Sequence, residues 1–226
     1  MHTQRNNMKN YLADLSEIPL FASIPPKDIP GLLRCTHARR VSYQKNEIIL
    51  EEGSLVSEFG ILLSGRGRAM KTDESGRIVT ITLLKKGSEI GAILASSNEH
   101  KSPVSVQALE DAEVLKIPFS RVLSRCEKAC AGHDQLLKNY IGIVAEKGLE
   151  LHDRLSCLLK SSVREKVLAY LSKTAKDTGS RAFCVPFDRS GMAEYLNVER
   201  SALSRELSAM KQDGMIDFHK NCFRLL

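Results

Sequence analysis

The sequence lacks any long apolar run. No stretch approaches the roughly eighteen consecutive apolar residues that suggest a membrane-spanning helix, so we predict no membrane span and no membrane partner. The N-terminal stretch MHTQRNNMKNYLADL has no apolar segment behind its charges, so no export signal is expected there. A cytoplasmic location is therefore the expectation.

The sequence also lacks a C-x-x-C pair, which argues against a zinc ribbon or a thioredoxin-like motif. A chain of 226 residues is too large to need disulfide stapling, and with no export signal we expect reduced thiols. The six cysteines are Cys35, Cys126, Cys130, Cys157, Cys184 and Cys222.

A catalytic constellation is missing as well, because no histidine has a carboxylate or a nucleophile at motif spacing. We therefore predict no enzymatic activity, assign no metal ligand and identify no cofactor. The histidines considered are His2, His37, His100, His133, His152 and His219. With 42% hydrophobic and 27% charged residues, the chain is typical of a soluble globular protein. The net charge of +6 suits a polyanionic partner without requiring one.

Residues 1–133 are predicted to form an antiparallel β-roll behind a helical lead-in. Prolines keep the helices of EIPLFASIPPKDIPGLLRC short, and brief apolar runs separated by turn residues follow. Strands of this length at this spacing indicate a small antiparallel barrel or a jelly-roll-like roll. Within it, the segment from Asp73 to Gly76 is a hairpin-loop candidate in which Gly76 supplies a positive φ.

Residues 134–160 contain no proline and repeat apolar residues at alternating steps of four and three, which predicts one long helix. One interpretation pairs this helix with its own copy in a parallel homodimer, where Gly148 would let two backbones approach. The other packs it against the sheet of its own chain. The predicted seam consists of Leu137, Ile141, Val144, Gly148, Leu151, Leu155 and Leu158.

Residues 161–226 follow the order of a winged helix-turn-helix. A capped helix begins at Ser162, with Glu165 three residues on, and a short strand in FCVPF follows it. RSGMAEYL and ERSALSRELSAMKQDG then form two helices joined by a tight turn at Asn197, and Gly214 ends the second. The strands MIDF and FRLL, joined by HKNC, make the wing. The whole chain is therefore predicted to be of the α+β class.

The second of these helices is predicted to read DNA. Leu203 and Leu207 must face inward, so the opposite face carries a set that suits base edges and phosphates: Arg200, Ser201, Ser204 and Arg205. The alternative is that both arginines pair with Glu199 or Glu206 on a solvated helix. Three further residues, Lys211, His219 and Lys220, are predicted phosphate contacts.

In this order of domains the chain resembles the Crp/Fnr family of bacterial transcription regulators. The resemblance rests on IILEEGSLVSEFGILLSGRGRAMKTDESGRIVTITLLKKGSEIG for the roll and on LNVERSALSRELSAMKQDGMI for the recognition helix. It implies a homodimer that binds a palindromic operator in double-stranded DNA, a small-molecule effector in the roll, and RNA polymerase as a partner. Ser201 stands where the family often has a glutamate, so the preferred half-site is expected to differ.

The resemblance does not extend to the residues that bind cyclic nucleotides. Gly91 matches the roll's glycine, but Ala92 replaces the ribose-binding glutamate, and Ser102 and Pro103 replace the phosphate-binding Arg-Ser pair. Lys101 is one residue off and faces the other way by strand alternation. Leu149 and Glu150 replace the hydroxyl pair of the dimer helix that reaches the adenine. We therefore expect an effector other than cyclic AMP, of unknown identity, in a pocket lined by Ile90, Gly91, Ala92, Ile93, Ser102 and Ser105.

Two alternatives stay open. Cys126, Cys130 and His133 would share one face of a helix, which suits a soft metal or a redox sensor, although the two cysteines also suit simple packing. An iron–sulfur cluster is not predicted, because Cys35 is the only cysteine in the N-terminal hundred residues. The alternative of another class is a ligand-binding module that contacts proteins and does not bind DNA.

Overall fold

The computed structural model describes residues 14–72, 76, 78–124 and 132–226. The chain divides into two compact units, Met1–Lys147 and Gly148–Leu226, which are considered separately below. The boundary falls within one long helix, His133–Leu158.

The N-terminal unit contains two four-stranded antiparallel sheets, with strand orders β1-β8-β3-β6 and β2-β7-β4-β5. The strands are β1 (Arg39–Tyr43), β2 (Ile48–Leu50), β3 (Glu58–Ser64), β4 (Gly67–Thr72), β5 (Ile78–Leu84), β6 (Glu89–Ile90), β7 (Ser105–Ala108) and β8 (Ala112–Pro118). The helices are the 3₁₀ helix Pro19–Phe21, α1 (Ile29–Cys35), α2 (Ala92–Ser96), α3 (Phe119–Leu123) and the start of α4 (His133–Leu158). This arrangement confirms the predicted antiparallel roll.

The core of the roll forms where strand β3 pairs with β8 and the inward residues of both are fully buried, among them Phe59, Ile61 and Leu115. Turns close the strands at positions that need glycine. Gly65 has φ +81°, and a Cβ there would lie 2.4 Å from the carbonyl oxygen of Asp111, so no larger residue fits. Gly76 also has φ +81° in the loop between β4 and β5, as predicted.

Helix α4 begins as part of the N-terminal core. Leu136 and Tyr140 are buried in it, and Leu137 and Val144 pack partly against it. Leu137 and Val144 therefore contact their own domain, as the alternative interpretation expects, and their place in a dimer seam stays a prediction. A heptad pattern records only that a helix face is apolar, and not which surface covers it.

The C-terminal unit has a three-stranded antiparallel sheet of order β10-β11-β9 and three helices after the end of α4. Its elements are α5 (Val163–Thr178), β9 (Ala182–Cys184), α6 (Arg189–Leu196), α7 (Arg200–Gln212), β10 (Ile216–His219) and β11 (Cys222–Leu225). The Ser162 side chain accepts a hydrogen bond from Glu165 N, and the side chain of Glu165 returns to the backbone of Ser162, which confirms the predicted capping box.

The predicted helix-turn-helix is confirmed in its details. Asn197 ends α6 in the left-handed region with φ 49° and ψ 62°. Gly214, with φ +70°, follows α7, and the N–H of Met215 donates to the carbonyl of Met210 at 3.0 Å. Asn197 therefore fixes the end of α6 and the direction in which α7 begins. Gly214 fixes in the same way the end of α7 and the direction in which the wing begins.

The prediction of six free thiols is wrong for two of them, because Cys184 and Cys222 form a disulfide. They are direct partners in the pairing of β9 with β11. The two residues are 38 apart in sequence, so only the pairing of distant strands brings them together. Cys35 and Cys157 are not joined in a disulfide. Among the described helices, none is long and apolar enough to cross a membrane.

Candidate nucleic-acid interface

Helix α7 presents one buried and one exposed face. Leu203, Leu207 and Met210 are completely buried in the C-terminal core. The side chains of the predicted reading face are all exposed: Arg200, Ser201, Ser204 and Arg205. Because 3.6 residues make one helical turn, the buried leucines orient this set away from the core and toward solvent.

The acidic neighbour of Arg205 is engaged elsewhere. Glu206 accepts a hydrogen bond from Nε of Arg164 at 2.6 Å, and Nη1 of Arg164 also lies 2.8 Å from Asp213 Oδ2. These hydrogen bonds raise the pKa of the Arg164 guanidinium. Within the described part of the chain, neither Arg200 nor Arg205 forms an ion pair, so the alternative of arginines neutralised by Glu199 or Glu206 is not what the structure shows.

The wing presents His219 and Lys220 to solvent at the end of the β10–β11 hairpin. Lys220 has φ 53°, the left-handed conformation that tight turns use. Arg189 supports the turn, because its Nη2 donates to the carbonyl of Lys220 at 3.3 Å. The Arg189 guanidinium also lies 5.1 Å from the ring centre of Phe218, and partial burial lowers its pKa.

Lys211 differs from the other predicted phosphate contacts, because it has a partner within the chain. Its Nζ lies 2.6 Å from Asp217 Oδ1 and 5.4 Å from the ring centre of Phe218. The ion pair lowers the pKa of Asp217. Lys211 therefore connects the end of α7 to strand β10. The supporting residues Arg164 and Arg189 were not predicted, because their partners are distant in sequence and leave no local pattern.

In the roll, the predicted effector residues fall at two places. Ile90 ends β6 and leads into α2, whereas Ser102 lies just before β7 and Ser105 is the first residue of β7. Ala92 and Ile90 are buried in the core, while Gly91 keeps a positive φ of 75°. The backbone N–H of Ala92 donates to Glu89 Oε2 at 3.1 Å, and its carbonyl accepts from the Tyr140 hydroxyl at 2.6 Å. Partly buried Ile93 lies on the same helix. Tyr140 belongs to α4, so the start of α2 is joined directly to the long helix.

The two serines predicted for the pocket bond to the chain's own backbone. The Ser102 hydroxyl is buried and donates to the carbonyl of Val104 at 2.7 Å. Ser105 Oγ accepts from the N–H of Glu52 at 3.0 Å. Lys101 is exposed. The residues that the resemblance aligns with the phosphate-binding pair are Ser102 and Pro103, and neither carries a positive charge.

The predicted sensor cluster is only partly described, because Cys126 and Cys130 lie outside the described residues. His133 is buried, with Nε2 3.1 Å from the carbonyl of Val122 and Nδ1 4.0 Å from Cys35 Sγ. Its Nε2 is therefore occupied by a structural hydrogen bond. Among the described residues there is no group of three or more potential metal ligands.

Comparison with known proteins identifies both domains. Residues 40–129 match the family model of a cyclic nucleotide-binding domain, and residues 165–226 match that of a Crp-like helix-turn-helix domain. Together they define a DNA-binding transcription regulator with an effector-binding domain. The chain belongs to the Crp/Fnr family of transcription regulators.

Individual relatives are distant. The transcriptional activator protein FnrA of Stutzerimonas stutzeri is 23% identical, covering 81% of this chain and 75% of its own. The cyclic AMP receptor protein of Thermus thermophilus is also 23% identical, covering 88% of each chain. Among solved structures, the c-di-GMP responsive global regulator CLP of Xanthomonas campestris matches with a TM-score of 0.60 at 15% identity, over 87% of this chain and 98% of its own. That structural match shows the shared fold.

Proposed function

We propose that the chain acts as a homodimer that reads a palindromic operator with the exposed face of α7 and responds to an effector other than cyclic AMP. The observation that carries the reading role is the pair Arg200 and Arg205, both exposed on the face of α7 opposite its buried leucines. An arginine fork matches the two acceptors on the major-groove edge of guanine. Ser201 and Ser204 on the same face suit bases or phosphates.

The wing supplies the phosphate contacts in this proposal. His219 and Lys220 lie at its turn, and Arg189 supports the turn through the Lys220 carbonyl. Lys211 has a smaller role than the sequence predicted, because a phosphate would have to compete with Asp217 for it. Contacts of this kind fix orientation and make binding dependent on salt.

Dimerisation is proposed to use the outer face of α4. Ile141, Leu151 and Leu155 of the predicted seam are each more than half exposed, as are Leu149 and Leu159 beside it. Gly148 has open space where a Cβ would be, which suits close approach of a second helix. Leu158 is partly buried. A continuous apolar stripe of this kind is typical of an interaction surface.

The dimer must also place its two recognition helices correctly. Two α7 helices would need centres about 34 Å apart to enter successive turns of one DNA face.

The proposed coupling between effector and helix passes through Tyr140. Its hydroxyl bonds to the carbonyl of Ala92 on α2, and its ring packs against Phe59 and Phe119 at 4.8 and 5.1 Å between centres. An effector that shifts α2 changes this hydrogen bond and therefore favours one position of α4 over another. Such a ligand acts by its different affinities for two pre-existing states.

An effector other than cyclic AMP is supported by the missing phosphate ligand. A buried cyclic phosphate requires a cation with bidentate geometry, and Ser102 and Pro103 cannot provide one. The named ligands of two relatives differ, since one is a cyclic AMP receptor and another responds to c-di-GMP. Membership of the family therefore leaves the ligand open.

By analogy with these regulators, we also propose RNA polymerase as a partner and a cytoplasmic location, and we assign no catalytic activity.

The reading role is tested by selecting preferred duplexes from a random pool and measuring binding by fluorescence anisotropy at several salt concentrations. Arg200→Ala and Arg205→Ala should each lower the preference for the selected palindrome over a scrambled duplex by roughly thirtyfold or more, because the homodimer loses two bidentate base contacts, one in each half-site. Lys176→Ala, an exposed change on α5, is the control and should match the parent. If both arginine variants retain the parent's preference, α7 does not read the operator.

The effector proposal is tested by isothermal titration calorimetry of the purified full chain with cyclic AMP. No heat of binding is expected at micromolar concentrations. A micromolar dissociation constant would contradict the proposal directly. Native mass spectrometry of the protein purified from its own host should then reveal the mass of the bound molecule.

A further inference from the structure

The disulfide joins Cys184 on β9 to Cys222 on β11. It lies at the kind of paired position at which opposite side chains of two antiparallel strands are closest together. Val185 N donates to the carbonyl of Asn221, and Leu225 N donates to that of Arg181, both at 2.9 Å. These bonds flank the cysteine pair and make it a non-hydrogen-bonded pair of antiparallel strands, in which opposite side chains are nearest. The two Cα atoms are 3.9 Å apart. The sulfurs therefore face one another whether they are oxidised or reduced.

The pair is accessible to solution. Cys184 is exposed and Cys222 is partly exposed, on the sheet face opposite the buried Phe183 and Phe223. Both cysteines line a shallow surface cavity together with His219, which lies directly opposite Cys222 in the sheet. Exposed disulfides are the ones that exchange readily with thiols in solution. Cys157 contrasts with them, because it is buried and burial raises the pKa of its thiol.

The disulfide also holds the part of the wing that faces DNA in the proposed function. Cys222 follows the wing turn at Lys220 and Asn221, and Cys184 ends the strand that leads toward α6. Two hydrogen bonds also restrain the wing turn. Asn221 Nδ2 donates to the Val185 carbonyl at 2.8 Å, and Arg189 donates to the Lys220 carbonyl. Among the described residues, the Cys184–Cys222 bond is the one disulfide cross-link, and it joins wing strand β11 to β9.

We propose that Cys184 and Cys222 are a reversible thiol–disulfide site through which low-molecular-weight thiols control how tightly the wing binds DNA. In the reducing direction, a thiolate attacks one sulfur, forms a mixed disulfide and releases the other cysteine as a thiolate. A second thiol then attacks the mixed disulfide. The products are two cysteine thiols, which carry the protons of the two reagent thiols, and one reagent disulfide. The reverse reaction with that disulfide restores the link.

The oxidised form should bind DNA more tightly, because its wing turn is already fixed and loses less freedom on binding. The inference rests on the proposed DNA-reading function, and it adds a site in the C-terminal domain to the effector site in the roll. It does not require Cys126 or Cys130.

The test equilibrates the full chain in buffers of defined reduced-to-oxidised glutathione ratio. Alkylation and peptide mass spectrometry then follow the Cys184–Cys222 link, and anisotropy measures affinity for one selected duplex. The oxidised protein should bind about three- to tenfold more tightly. Cys184→Ser/Cys222→Ser should give the reduced affinity in every buffer, and Cys35→Ser, in the other unit, should respond like the parent. Equal affinity in the two demonstrated states, or a link that does not form and break reversibly, would overturn the proposal.

A second measurement separates this inference from the proposed function. Trypsin cleavage after Lys220, followed without DNA, should be faster in the reduced form because the wing is less restrained. If neither form binds a selected duplex, the reading function fails, and the cleavage rates still decide the redox site. Equal cleavage rates in the two states would show that the disulfide does not restrain the wing, which contradicts the inference independently of DNA.

Discussion

Arg164 at the start of α5 contacts Glu206 in the middle of α7, with 2.6 Å between Nε and Oε1. The same guanidinium reaches Asp213 at 2.8 Å, beyond the end of α7. One side chain therefore holds the recognition helix along much of its length. It also neutralises Glu206, the carboxylate adjacent in sequence to Arg205, and so leaves the reading face more positive.

Replacing Arg164 should loosen α7. Arg164→Met is expected to lower the thermal midpoint of the C-terminal unit by a few degrees and to weaken specific DNA binding, because two carboxylates lose their partner. Glu206→Gln should have a smaller effect, since its amide oxygen still accepts from Nε. Arg181→Met, an exposed change in the same unit, is the control. Circular dichroism and anisotropy measure both effects. An Arg164→Met protein with the parent's midpoint would contradict the expectation.

The N-terminal cap of α5 gives a second prediction. The Ser162 side chain accepts from the Glu165 N–H at 3.2 Å, and Ser162→Ala removes that acceptor. We expect the free energy of unfolding to fall by about 1 kcal/mol. Ser172→Ala, in the exposed middle of the helix, should be neutral or slightly stabilising because alanine favours helix. Urea unfolding of the full chain distinguishes the two, and equal midpoints for both variants would exclude a role for the cap.

Tyr170 makes the C-terminal unit sensitive to alkaline pH. Burial, followed by the nearby Tyr195, raises the pKa of Tyr170 to about 12. Because the unfolded phenol ionises near pH 10, the folded state binds the proton more tightly. This contribution to stability is complete below about pH 10 and is lost as the pH rises through about 12. Tyr170→Phe should therefore lose stability less steeply over that interval in urea unfolding. Parallel pH profiles for the two proteins would show that Tyr170 is not responsible.

Most of the fold could be predicted because its signals are local. The cap at Ser162, the left-handed Asn197 and the glycine after α7 each mark a chain boundary within a few residues, and all three are confirmed. The inward leucines of α7 then determine which residues face outward. These inferences need only helical periodicity and turn chemistry.

The features that could not be predicted depend on distant partners. The disulfide follows from the register of β9 against β11, and no local pattern marks either cysteine. Arg164 and Arg189 gain their roles from residues across the domain. Leu137 and Val144 show a related limit, because an apolar heptad position fits a partner helix and the chain's own roll equally well. The effector pocket was expected from the resemblance and not from a local pattern. Two of its predicted residues, Ile90 and Ala92, are buried in the core.

The apolar stripe on α4 predicts how to separate the proposed dimer. Leu155→Lys is expected to give monomers at micromolar concentration, because each dimer would bury two unpaired ammonium groups against their own copies. Glu146→Lys places the same lysine side chain on another face of the helix and should leave the dimer intact. Sedimentation equilibrium measures both. A Leu155→Lys protein that remains dimeric would exclude this face as the interface.

Lys220 and Arg205 should affect DNA binding in different ways. A phosphate contact contributes about 0.9 to the slope of log affinity against log salt, so Lys220→Ala should reduce the slope by nearly two in a dimer with two wings. It should weaken binding to selected and scrambled duplexes alike, because phosphates carry no sequence information. Arg205→Ala should instead reduce the preference between them. Anisotropy over a salt series separates the two effects, with Lys176→Ala as the control. If Lys220→Ala changes the preference and leaves the slope unaltered, the wing turn reads bases, and the roles proposed for the wing and for α7 must be revised.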